Sequence, residues 1–64
     1  MKSYSSREVI KILTDNGWYY VGQNGSHRHY EHSSKKGKTT VPHPKKNIPI
    51  RTLKNIEKQS GLTF

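Results

Sequence analysis

The sequence predicts an α+β fold, in which a helix, three antiparallel strands and a second helix follow in order, with both helices on one face of the sheet. Three observations carry this. A Ser-x-x-Glu box precedes an apolar run at helical spacing, an Asn-Gly pair separates two strand-like runs, and a proline and a glycine bracket a second helical pattern near the C-terminus.

Ser5-Ser6-Arg7-Glu8 has the spacing at which a serine hydroxyl caps the third helical amide and a glutamate reaches back to the serine. Val9, Ile10, Ile12 and Leu13 then give one apolar face, and Asn16-Gly17 is an exit because glycine accepts the left-handed conformation that closes a helix. The first helix is expected over about residues 6 to 16. Trp18-Tyr19-Tyr20-Val21 is rich in aromatic and β-branched side chains, which suit a pleated surface, and stands between Gly17 and Gly22 as a first strand. Asn24-Gly25 is a tight-hairpin signal whose residues both tolerate positive φ, so a second strand should return from Ser26 to His32. The polar stretch Ser33 to Lys38 reads as a second hairpin loop, and Thr39-Thr40-Val41 as a short third strand ended by Pro42. His43 to Asn47 is a loop. Pro49 opens a second helix over residues 49 to 60, Ile50, Leu53 and Ile56 supply its apolar face, and Gly61-Leu62 closes it.

Sixty-four residues make a single domain, residues 1–64. A chain this short buries only about 60% of its unfolded surface, so the core is thin. Only 28% of the residues are hydrophobic and the mean hydropathy is -1.05, yet the apolar residues cluster in the periodic segments above, which argues for a folded chain. The formal charge is +8, from 12 Lys+Arg against 4 Asp+Glu. From Ser33 onward the basic residues are Lys35, Lys36, Lys38, Lys45, Lys46, Arg51, Lys54 and Lys58, opposed by Glu57 alone. Such an imbalance favours polyanions, held through phosphate contacts and counterion release, over acidic small substrates. There is no cysteine, which excludes disulfides and thiolate metal sites. No membrane-spanning run and no secretion signal stand out, and a cytoplasmic protein is expected.

Alternation along the second strand separates His27, His29 and Glu31 from Arg28, Tyr30 and His32. Tyr30 is the largest apolar body and should face the core, which sends His27 and His29 to the open side of the sheet. His27 follows Gly25 and Ser26, whose amides and hydroxyl suit a phosphate oxygen. RNA strand cleavage asks for a base to take the 2′-OH proton, donors for the charged phosphorane and an acid for the leaving oxygen, and an imidazole titrates in the right range. Ser26-His27 lacks the orienting acid of a hydrolase triad. His29, His32 and His43 read as polar surface of the sheet and its loops. No metal site is expected, because only Glu31 lies near the histidines and the surrounding charge opposes a dication. Lys35, Lys36, Lys38, Lys45 and Lys46, with Gly25, Ser26 and Arg28, are the candidate RNA contacts.

The chain resembles the HicA-type toxins, the small mRNA interferases of HicA/HicB toxin-antitoxin systems. The resemblance rests on Ser6-Arg7-Glu8-Val9-Ile10-Lys11, Gly17-Trp18, Gly25-Ser26-His27 followed by Tyr30, Thr40-Val41-Pro42-His43, Thr52-Leu53-Lys54 and Gln59-Ser60-Gly61-Leu62, in that order across nearly the whole chain. It implies a fold similar to the double-stranded RNA-binding domain, with helix, three strands and helix in sequence. It also implies metal-independent endoribonuclease cleavage of mRNA with His27 as the catalytic residue and no cofactor, inhibiting translation and growth as part of a stress response. A HicB-type antitoxin would cover the His27 site. The family usually has glycine before the Thr-Leu of the last helix, where this chain has Arg51, which adds positive charge at the helix start. A non-catalytic double-stranded RNA-binding module is the alternative, reading A-form shape through phosphates and 2′-OH groups.

Overall fold

The computed structural model describes residues 3–64. The order is α1 (Ser6–Asp15), β1 (Trp18–Asn24), β2 (His27–His32), β3 (Thr39–Pro42) and α2 (Ile50–Ser60). The sheet is antiparallel in the order β1-β2-β3, as the two hairpin signals require.

The capping box forms in full: Glu8 N–H donates to Ser5 Oγ at 3.2 Å, and Ser5 N–H donates to Glu8 Oε1 at 3.0 Å. At the other end of the chain Gly61 closes α2 in the left-handed conformation, φ 75°, with its N–H on Glu57 O at 2.8 Å. Lys35 Nζ donates to Ser60 O at 3.0 Å, placing a cation where the helix dipole favours one.

Val9 and Leu13 of α1, Leu53 and Ile56 of α2, and Trp18, Tyr30 and Val41 of the sheet form one buried cluster with Ile48. Both helices therefore cover the same face of the sheet, the one to which Tyr30 points. Burying each such side chain contributes about 1.5–3 kcal/mol, so this cluster dominates the stability of a chain this size. Tyr4, Ile10, Leu62 and Phe64 pack around its rim.

Four details differ from the sequence expectation. β1 runs on through Gly22 to Asn24, with a bulge at Val21 that shifts the register from Tyr20↔Tyr30 to Gly22↔His29. The hairpin turn centres on Gly25 and Ser26, not on Asn24 and Gly25, and only Gly25 has positive φ, 60°, as a glycine-first two-residue turn needs. Pro42 does not end β3 from outside but is its last residue, paired with His27. The apolar residue that enters the core beside α2 is Ile48, 5% exposed, while Ile50 is 46% exposed. Ile48 is drawn in because its N–H donates to Tyr4 O at 2.8 Å, which ties the loop before α2 to the segment before α1. Arg51 lies inside the first turn of α2, which forms with that residue in place.

The free edge of β3 is covered by α2. Thr40 N–H, which has no fourth strand to pair with, donates to Gln59 Oε1 at 3.0 Å. The outer edge of β1 is unpaired in the sheet, and Tyr19, Tyr20 and Val21 on it are 48%, 50% and 43% exposed.

Candidate nucleic-acid interface

His27 is the first residue of β2, exposed, directly after the Gly25-Ser26 turn and opposite Pro42. Its alternation partner Tyr30 is buried at 2% exposure, so His27 stands on the uncovered side as strand geometry demands. It lines a cavity of about 300 Å³ together with Thr40, Pro42 and Lys45, and with Pro49, Thr52, Asn55 and Gln59 at and along α2. The cavity thus joins the hairpin end of the sheet to one flank of the second helix.

The wall given by α2 is polar and uncharged. Thr52, Asn55 and Gln59 sit three and four residues apart, on one helix face, and offer a hydroxyl and two amides. Sequence reasoning missed them as site residues. The signal was present: a hydroxyl and two amides recur at helical spacing on the flank next to the apolar stripe of Leu53 and Ile56.

The loop after β3 is pinned to the same end of the molecule. His43 N–H donates to Ser26 O at 2.7 Å, continuing the ladder one step past β3. Ser6 N–H donates to Lys45 O at 2.9 Å, and Lys45 N–H donates to Ser6 Oγ at 3.0 Å, a reciprocal pair between α1 and the loop. This places Lys45 in the lining of the His27 cavity.

The predicted RNA contacts divide into three groups. Gly25, Ser26 and Lys45 lie at or beside His27, and Lys46 joins Lys45 in a neighbouring cavity. Arg28 points to the opposite face of the sheet, half-buried, with its guanidinium 5.5 Å from the centre of the Tyr20 ring. Lys35, Lys36 and Lys38 occupy the β2–β3 loop at the other end of β2. One strand length, roughly 17 Å, separates them from His27, and Lys35 is already engaged on the end of α2. A duplex or a long single strand reaches both ends of the sheet; a single nucleotide does not.

The other histidines differ in kind. His32 Nε2–H donates to Asn16 O at 3.0 Å while Ser34 N–H and Oγ–H donate to its Nδ1 at 3.1 Å, and the ring meets Trp18 edge-on, so its role is to fasten β2 to the end of α1. His29 Nδ1 lies 3.0 Å from Thr40 Oγ1. His43 is half-buried, its Nδ1 2.8 Å from Ser6 Oγ. Among the described residues no three His, Cys, Asp or Glu side chains gather in a metal-holding group.

A small basic α+β module, similar in its element order to the double-stranded RNA-binding domain and carrying one exposed histidine in the lining of a polar cavity, is the class that this fold and site define. A family model described as HicA toxin of bacterial toxin-antitoxin matches residues 6–62, and the chain belongs to that family of toxins. No curated protein matches the chain. Among the described residues no helix is long and apolar enough to cross a membrane.

Proposed function

We propose that this toxin is a metal-independent endoribonuclease that cleaves mRNA, with His27 as the catalytic residue, and that it acts in the cytoplasm, where it arrests translation and growth under stress. The observation that carries this reading is the placement of the exposed His27 at a polar cavity that also holds the Lys45 cation and the hydrogen-bonding side chains of α2.

The chemistry follows from what lies there. In RNA the nucleophile is internal: the 2′-oxygen attacks phosphorus while the bond to the 5′-oxygen breaks, so one proton must leave the 2′-OH and one must reach the departing oxygen. His27 accepts the first or supplies the second, and solvent water handles the other. Negative charge gathers on the non-bridging oxygens, where Lys45 and the amides of Asn55 and Gln59 offer a cation and donors. Of the other candidate contacts, Lys36, Lys38 and Lys46 hold the backbone on either side, and Lys35 joins them only by leaving Ser60 O, so cleavage falls steeply with salt. A HicB-type antitoxin of acidic surface would silence the toxin by covering His27 and this cavity.

The test is cleavage of total RNA by the native chain and by His27→Ala, with a chelator present, alongside a binding measurement. Loss of cleavage with binding retained supports the enzyme. RNA bound and left intact by both proteins would instead establish a shape-reading double-stranded RNA-binding module, which the fold alone also permits.

A further inference from the structure

A second cavity, of about 590 Å³, lies next to the one at His27 and is lined by Ser5, Ser6, Arg7, His43, Pro44, Lys45 and Lys46. Lys45 lines both. Arg7, Lys45 and Lys46 give it three cationic side chains, none in an ion pair among the described residues, and no acidic side chain lines it. The cap amides are already occupied, Ser6 N–H by Lys45 O and Glu8 N–H by Ser5 Oγ, so side chains and not the end of α1 give the cavity its character.

His43 is held there by Ser6. Ser6 is buried, 2% exposed, and its Oγ accepts from Lys45 N–H at 3.0 Å. Its own hydrogen then needs an acceptor, and His43 Nδ1 at 2.8 Å is the one available. The arrangement in which Ser6 Oγ–H donates to Nδ1 leaves the ring hydrogen on Nε2, which makes no hydrogen bond among the described residues. Nε2 thus stands beside three cations that form no ion pair among the described residues, one backbone step from Ser26 and the turn that presents His27.

We propose that this cavity is a phosphate subsite of the RNA track: it holds a backbone phosphate neighbouring the one at His27, with the Nε2–H of His43 donating to a phosphate oxygen and Arg7 and Lys46 neutralising it. His43 is here a binding residue and takes no part in proton transfer at the scissile bond. The subsite rests on the proposed RNA cleavage, and extends it from one reacting phosphate to a strand running along the α1 side of the hairpin.

The experiment uses a short single-stranded RNA in which each linkage in turn is replaced by an uncharged methylphosphonate, bound to the full chain carrying His27→Ala. His43→Asn keeps an acceptor for Ser6 and removes the Nε2 donor; Lys46→Ala alters an exposed side chain and leaves the fold alone. Each is expected to weaken binding of the unmodified RNA about tenfold, the value of one charge-assisted hydrogen bond or phosphate contact. One methylphosphonate position should cost a similar factor, and that factor should shrink once His43→Asn or Lys46→Ala is present, while the factors at the other positions stay as they are. Equal loss on every oligonucleotide, or no loss, overturns the subsite. If both substitutions weaken poly-L-glutamate as much as RNA, the cavity is a carboxylate site for an acidic protein segment and the phosphate assignment falls. Cleavage of the unmodified RNA by the native chain is scored separately, so a failed nuclease reading is told apart from a failed subsite.

Discussion

Replacing Ser6 by alanine should unfasten the loop that carries Lys45. The hydroxyl is buried at 2% exposure, accepts from Lys45 N–H at 3.0 Å and meets His43 Nδ1 at 2.8 Å. Alanine keeps the donation from residue 6 N–H to Lys45 O but leaves the Lys45 amide and the imidazole nitrogen without partners. Both are only partly buried, so each loss belongs at the low end of the 1–3 kcal/mol range, together about 2.5 kcal/mol. Alanine returns about 0.5 kcal/mol through better helix propensity. The net loss is about 2 kcal/mol, a large share of what a domain of this length has, and it corresponds to a fall in Tm of about 10 °C. Thermal melting followed by circular dichroism reads the stability, and amide hydrogen exchange at Lys45 reads the local opening. Ser5→Ala is the control, costing about 1 kcal/mol by loss of the N-cap without exposing the Lys45 amide. A Tm change under about 2 °C, or a Lys45 amide that exchanges no faster than in the Ser5 variant, would refute the pin.

Gly17→Ala places a Cβ 2.8 Å from His32 Nε2 on a backbone of φ +92°. It should destabilise by about 2–3 kcal/mol, from the left-handed strain and the broken His32 contact to Asn16, read as a shifted urea midpoint. Thr39→Val removes a fully buried hydroxyl that has no partner among the described residues; stability should rise by about 1 kcal/mol in the same assay, and a loss would show that the hydroxyl is satisfied in solution. Gln59→Ala strips Thr40 N–H of its acceptor and removes one wall of the His27 cavity. It should cost about 1 kcal/mol of stability and lower RNA cleavage more than RNA binding.

The order of elements was legible because each boundary has a local chemical cause. Ser5 with Glu8, Gly25 in the turn and Gly61 after α2 act on backbone groups within a few residues, and each does in the structure what its chemistry dictates. The exposed side of β2 was legible for a similar reason, since alternation with Tyr30 alone places His27. What needed the fold were contacts between distant segments. Ile48 is buried through a hydrogen bond to Tyr4, and the Val21 bulge exists only relative to its partner strand. The α2 flank meets His27 only because that helix covers the β3 edge. His43 was read as ordinary polar surface because its partner Ser6 lies 37 positions away.

The bulge at Val21 bears on how the chain behaves at high concentration. A second copy approaching the unpaired side of β1 finds a regular row of peptide groups only from Trp18 to Tyr20 before the register breaks. So short a landing leaves little room for a growing ribbon of stacked copies, even with two tyrosines and a valine in the open. A substitution that straightened that strand would trade solubility for fibre growth.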